Sequence, residues 1–297
     1  MSAPDSLIAS QQEGRRRFLE RVADLRPELH RYCARMTGSV ADGEDIVQDT
    51  LARAYYLLPE MDEVPAFRPW LFRIAHNRAL DYLKRYEARM AEPIELTDAP
   101  DPAPDPGDTL AHEQAIHAAV SRFVELAPSQ RSCVILKDVL GHSLEEIGSL
   151  LEMTLPSVKS ALHRGRQRLR ELSGTPAPTP AVPHASPVVA RYVALFNARE
   201  WDGIRAMLAE DVQLDLVSRA QRAGRAVGSY MSNYDRYHDW WLAPAWLEGR
   251  EVIAVSRAQG AQPRYFIDLT IENEKVRFIR DLRYVPYILQ DVDLVLA

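Results

Sequence analysis

Cysteine is nearly absent from this chain. Only Cys33 and Cys133 occur, a hundred residues apart and without a CxxC spacing or a nearby histidine cluster, which excludes a disulfide framework and a thiolate zinc site. Long apolar runs are missing too. Nothing approaches the roughly 20 apolar residues of a membrane span. The opening MSAPDSLIASQQEGRRR lacks the apolar centre of a secretory signal. A soluble, cytoplasmic protein with no metal and no cofactor is expected. A cationic surplus is also lacking: the net charge is −6, whereas a chain that grips DNA unaided carries excess Lys and Arg to displace counterions. What is present is 46% hydrophobic residues in 297, enough for two or three packed domains.

The most informative stretch is Ser143 to Arg170, SLEEIGSLLEMTLPSVKSALHRGRQRLR. Leu144, Ile147 and Leu151 recur at helical spacing, and Val158, Leu162, Gly165 and Leu169 do so again after Met153-Thr154, giving two short amphipathic helices that pack as a helix-turn-helix. Thr154 can cap the second helix, and Pro156 is tolerated in its first turn. That helix carries Lys159, His163, Arg166 and Arg170 at steps of three or four on one side, with Arg164 and Arg168 close by, as suits the DNA major groove. Ser157, Lys159, Ser160 and His163 would approach base edges, and Arg164, Arg166 and Arg168 phosphates. Glu152 follows the first helix of the pair.

Upstream, Phe18, Val22, Leu25, Leu29, Tyr32 and Met36 mark a helical face, with Pro27 kinking it or starting a second helix and Gly38 stopping it. Ser39 can cap the next helix, whose apolar side is Ile46, Val47, Leu51 and Ala54. Its polar side holds Asp45, Gln48 and Asp49. After Pro59 to Pro65 comes FRPWLFRIAHNRALDYLKRYEAR, in which Phe67, Leu71, Ile74 and Ala75 face inward. Arg73, Asn77 and Asp81 fall at i, i+4 and i+8 on another side, with Trp70 and Arg78 close by. Aromatic and basic groups in that mixture fit single-stranded nucleic acid.

The order ADGEDIVQDTLARAYYLLP, FRPWLFRIAHNRALDYLKR, SLEEIGSLL and SVKSALHRGRQRLRE closely resembles bacterial sigma-70 family factors of the extracytoplasmic-function (ECF) group, over roughly Phe18 to Ser173. That resemblance implies that Asp45, Gln48 and Asp49 dock on core RNA polymerase. It also implies that Trp70, Arg73, Asn77, Arg78 and Asp81 read and melt the −10 promoter element. Ser157, Lys159, Ser160, His163, Arg164 and Arg166 would then bind the −35 element as duplex. No catalytic residue is implied.

The resulting organisation is multidomain. A sigma-2 module at 15–91 precedes an acidic, proline-rich linker at 92–108, and a sigma-4 helix-turn-helix module at 109–173 includes a helix from Ala111 to Ala127. Both modules are all-α. A second proline-rich linker at 174–187 leads to a tail at 188–297. In the tail, Val189 to Phe196 and Trp201 to Leu208 read as helices, whereas DVQLDLV, EVIAVSRA and the hairpin PRYFIDLTI-ENE-KVRFIRDLRYV read as strands of a curved antiparallel sheet. The segment SPVVARYVALFNAREWDGIRAMLAEDVQLDL resembles SnoaL-like domains of the nuclear-transport-factor-2 superfamily, which implies a cone-shaped α+β fold around a pocket. Asp215, His238 and Asp268 are conceivable acid–base groups there. The run Tyr230, Tyr234, Tyr237, Trp240, Trp241 and Trp246 reads as core and pocket wall.

Three functions stay open on the residues alone. A sigma factor would bind polymerase and promoter DNA, its tail touching the sigma modules or taking up a small-molecule ligand. A one-component ligand-sensing regulator would dimerise on duplex DNA, and a SnoaL-like enzyme could be tethered to a DNA-binding module.

Overall fold

A computed structural model describes residues 16, 18–57, 66–90, 120–173, 184–231, 239–290, 292 and 294–297. The chain divides into two compact units, Met1–Pro176 and Ala177–Ala297. Expectations for the linker at 92–108, most of the linker at 174–187, and Tyr234, Tyr237 and His238 lie outside the described residues.

In the amino-terminal unit, helix α1 (Arg26–Thr37) has Pro27 in its first turn, so that proline starts a helix. It stops at Gly38, whose φ of 77° lets its N–H reach the Ala34 carbonyl at 2.8 Å. Helix α2 (Val40–Leu57) follows at once, with the Ser39 hydroxyl accepting from the Asp42 N–H. The two helices meet at Gly43, where an added Cβ would lie 2.5 Å from the Ala34 backbone. Helix α3 (Phe67–Met90) closes the group by burying Leu71, Phe72, Ala75 and Ala79 against Leu29, Tyr32, Met36 and Val47.

Of the helix expected from Ala111 to Ala127, residues 111–119 lie outside the described residues, and Val120–Glu125 forms a 3-10 turn instead. Helix α4 (Pro128–Val134) runs directly into a π-turn (Ile135–Val139), closed by Leu140 N–H to the Ile135 carbonyl at 3.0 Å. Helices α5 (Leu144–Leu151) and α6 (Leu155–Ser173) form the helix-turn-helix. Phe123, Val134, Ile135, Ile147, Val158 and Leu162 belong to the same buried cluster as Leu29, Tyr32 and Phe72. The two halves of this unit therefore share one core.

Polar groups stitch that core. Arg131, only 3% exposed, donates to the carbonyls of Met36, Val124 and Leu126. The Tyr32 hydroxyl meets His76 Nδ1 at 2.7 Å and donates to Ser132 Oγ at 3.2 Å, while the Ser132 hydroxyl points at the Met36 sulfur. His142 sits edge-on to Phe72 at 5.3 Å. Both cysteines are free and buried.

The carboxy-terminal unit begins with α7 (Pro187–Asn197), capped by Ser186, and α8 (Trp201–Met207). Its strands are β1 (Leu208–Leu216), β2 (Ala220–Ala223), β3 (Trp241–Leu247), β4 (Arg250–Ser256), β5 (Tyr265–Glu272), β6 (Lys275–Asp281) and β7 (Leu294–Leu296), with α9 (Arg225–Met231) after β2. They form one sheet in the order β2-β1-β6-β5-β4-β3-β7. The sheet is mixed, which corrects the antiparallel expectation: β6 returns beside β1 in parallel because β2 takes the other edge of β1 as a hairpin. Two tight hairpins turn at Glu248-Gly249 and Asn273-Glu274, all four residues at positive φ, as the right-handed strand twist requires.

Gly43→Ala should destabilise the amino-terminal unit by about 1–3 kcal/mol in urea unfolding, because the α1 backbone cannot retreat, and this outweighs the better helix propensity of alanine. Burial lowers the His76 imidazole to about 4, whereas an unfolded histidine titrates near 6.5, so the fold prefers it neutral. Its contribution is complete above pH 6.5 and is lost as the pH falls toward 4. His30 and His142 are lowered by burial as well and add to the same acid sensitivity. Unfolding measured at pH 7 and at pH 4.5 should differ by about 2 kcal/mol less in His76→Gln than in the parent.

Candidate nucleic-acid interface

Helix α2 buries Ile46, Val47, Thr50, Leu51 and Ala54, which leaves Asp45 and Asp49 exposed and Gln48 half-buried on its outer side. Helix α3 lies against it and exposes Arg73, Asn77 and Asp81 in a line along its axis. Trp70 is half-buried against Phe67, their ring centres 5.8 Å apart, so one edge of the indole remains accessible. Arg78 joins the two helices, 3.2 Å from the Asp49 carboxylate and 3.8 Å from that of Asp81. The acidic face and the aromatic–basic face thus adjoin.

The helix-turn-helix is set by caps. Ser143 and Glu146 form a reciprocal capping box at the start of α5, and the Ser143 amide holds the Glu146 carboxyl below its usual range. Glu152 takes the left-handed conformation at φ 57°, ψ 40°, and Gly148 makes room for the turn, since a Cβ there would lie 2.9 Å from the Met153 carbonyl oxygen. Thr154 caps α6, accepting from the Ser157 N–H at 3.3 Å. Gly165 lets α6 approach α4, where a Cβ would meet Val134 at 2.7 Å. These constraints leave Ser157 and Lys159 exposed at the amino-terminal end of α6, with Ser160, His163 and Arg164 half-buried behind them. Arg164 is steadied by Ser160 at 2.7 Å.

Arg166 departs from its expected phosphate contact. Its guanidinium turns inward and makes a two-pronged bond to the buried Asp138 carboxylate at 2.7 and 2.9 Å, so it braces the module. Arg168 sits in exposed pairs with Glu125 and Glu171, which solvent screens and DNA can displace. Arg73, the first member of the α3 line, donates to the Ser149 carbonyl at 2.9 Å and lies 4.0 Å from Glu152. It thereby occupies the carboxy-terminal end of α5, where a cation is favoured. Among the described residues, sequence reasoning missed Arg131, Asp138 and His76, because their partners lie 28 to 95 residues away.

In the other unit, strand register puts Asp215 and Asp268 on either side of Arg280 in one rung of the sheet. That rung sets a cationic residue between the two candidate carboxylates, and it brings no histidine to either among the described residues.

Residues 21–89 match Sigma-70 region 2, and residues 117–169 match Sigma-70, region 4. The chain is 30% identical over 234 residues to the ECF RNA polymerase sigma factor SigG of Mycobacterium tuberculosis, covering 67% of this chain and 62% of that protein. It is 31% identical over 157 residues to the ECF RNA polymerase sigma factor SigF of Caulobacter vibrioides, covering 52% of this chain and 84% of that one. Among solved structures, the Mycobacterium tuberculosis sigma factor SigJ aligns over 89% of this chain and 95% of its own, with 22% identity and a TM-score of 0.35. Both regions occur in order on one chain, and a relative of this kind is matched over most of its length, so the chain belongs to the extracytoplasmic-function group of sigma-70 family RNA polymerase sigma factors.

Proposed function

We propose that the protein binds core RNA polymerase in the cytoplasm, recognises the −35 and −10 promoter elements and melts the latter, with the carboxy-terminal unit modulating these steps. The observation that carries this is the pairing of faces on α2 and α3. Asp45, Gln48 and Asp49 offer an acidic patch for a protein partner. Directly beside it, Trp70, Arg73, Asn77, Arg78 and Asp81 offer stacking and hydrogen-bonding groups for unpaired bases. Capturing a flipped base offsets a few kcal/mol of lost stacking, so melting needs no chemical step. The amino-terminal end of α6, with Ser157, Lys159, Ser160, His163 and Arg164, serves the −35 duplex, and Arg166 holds that helix in place.

The shared core has a consequence for this reading. The two elements are separated by about 25 base pairs, or about 85 Å at 3.4 Å per step. A folded unit of this size is only about 40 Å across. Promoter binding therefore requires the two halves to part, which frees Arg73 from Ser149 for the −10 strand. Polymerase supplies the surfaces that hold them apart, consistent with a net charge of −6 that suits DNA binding only in company. In this reading the carboxy-terminal unit acts by binding, with Asp215 and Asp268 placed beside Arg280 in the sheet.

Asp49→Arg should weaken binding to core polymerase about tenfold or more while leaving the fold intact, as read by a pull-down titration and a thermal melt; unchanged affinity would remove the docking assignment. Run-off transcription on a promoter library, with the full chain and with a chain ending at Ser173, tests the whole proposal. Promoter-dependent transcripts are expected from both, at different levels. Absence of transcripts despite a folded protein would refute the sigma reading, and equal output and polymerase affinity would refute modulation by the tail.

A further inference from the structure

Buried hydrogen-bonding groups are nearly always satisfied in folded proteins, and each exception needs a reason. In the carboxy-terminal unit two exceptions touch each other. Trp240 is 4% exposed and Tyr265 is 3% exposed, and among the described residues neither the indole Nε1 nor the phenol Oη has a hydrogen-bond partner. Their rings meet edge to face, the centres 5.7 Å apart.

Several elements converge to hold this pair. The Asn197 side chain at the end of α7 both donates to and accepts from the Leu242 backbone at 2.9 Å, which fixes the start of β3 beside Trp240. Arg199 donates to the Trp240 carbonyl at 2.8 Å. Tyr265 leads β5 opposite Val255, and Val255 lies opposite Leu242, so all three share a face of the sheet. Asp281, 2% exposed, is on that face too, its carboxylate accepting from the Arg283 N–H at 2.9 Å. The Arg257 and Arg283 guanidinium carbons lie 3.9 and 4.7 Å from the Trp240 ring centre. At the outer edge Arg257 is half-exposed and bonded to Asp239.

The chemistry of this group is one-sided. An indole N–H can only donate, and a phenol beside the Asp281 carboxylate is held firmly protonated by burial and by that charge. Three arginines, 199, 257 and 283, stand near Trp240 against two carboxylates, Asp239 and Asp281. Aromatic rings surround the group: Arg199, which bonds the Trp240 carbonyl, also lies over Phe196 and Trp201, and the buried Tyr192 feels the Asp281 charge. Donors without acceptors, a cationic surround and flat apolar walls suit a small molecule with a ring and an anionic oxygen.

We propose that Trp240 Nε1 and Tyr265 Oη form the polar end of a binding site for a small aromatic carboxylate, and that this ligand is the input through which the carboxy-terminal unit modulates the sigma modules. The second half of that statement rests on the function proposed above. The site itself does not.

The test uses the full chain without polymerase. Benzoate, salicylate and phenylacetate are titrated by calorimetry and by tryptophan fluorescence into the parent, Trp240→Phe and Tyr265→Phe. Tyr265→Phe keeps the ring and deletes only a hydroxyl without a partner among the described residues, so it should melt no lower than the parent, whereas Trp240→Phe also removes part of a buried ring and should melt lower while staying folded. At least one of the three acids should bind the parent one to one and raise its melting temperature, and each variant should lose about tenfold or more of that affinity. Failure of all three acids to bind, or equal binding by parent and variants, overturns the proposal, as does a clear drop in the melting temperature of ligand-free Tyr265→Phe, which would mean that the hydroxyl is satisfied within the fold. A chain that binds the acid yet supports no transcription would instead refute the sigma reading and leave the site standing.

Discussion

A guanidinium taken out of water loses several kcal/mol of hydration and must recover it from oriented acceptors, and Arg131 is where the amino-terminal unit meets that demand. Its acceptors are backbone carbonyls at the last turn of α1 and around the 3-10 turn, groups that helix ends leave without partners of their own. Met36 belongs to the first half of the unit, and Val124 and Leu126 to the second. This one cation therefore ties the halves together at the junction, alongside the apolar core they share. Gly38 has no side chain because Val124 comes so close that a Cβ would overlap it. Ser132, the next residue, carries the contact onward to Tyr32 and His76.

Much of the architecture was legible in the sequence because it is written at short range. Helical spacing found α2, α3, α5 and α6, and Gly38, Ser39 and Thr154 acted as stop and cap as their chemistry suggests. The alternation in DVQLDLV and the two runs around Asn273 gave β1, β5 and β6. Strand β3 was not legible. Its aromatic residues and Pro244 mask the alternation, and its place in the sheet depends on pairing with β4 on one side and the chain end on the other. The parallel pairing of β1 with β6 joins segments too far apart in sequence for any local pattern to register.

The candidate interface divides in the same way. Exposure of Asp45, Asp49, Arg73, Asn77, Ser157 and Lys159 follows from helix phase, which the spacing of apolar residues reveals. The fate of a basic side chain does not follow from phase. Arg166 and Arg164 look alike in sequence, yet one meets Asp138 and the other Ser160. Only the fold brings Asp138 under α6. Arg73 likewise finds the end of α5 across 76 residues of chain.

The π-turn at Ile135–Val139 bears on how this module can change over time. A helix that closes one ring with five residues holds one more residue than an ordinary α-helical path between the same two ends. Removing a single codon there could restore regular geometry without displacing α4 or the helix-turn-helix. The carboxylate that meets Arg166 is carried within those same five residues, so the lost residue would rotate its neighbours by about 100° each and re-aim Asp138. Length and charge are thus bound together at this position. Loss of a residue ahead of Asp138 would cost Arg166 its partner along with the extra length.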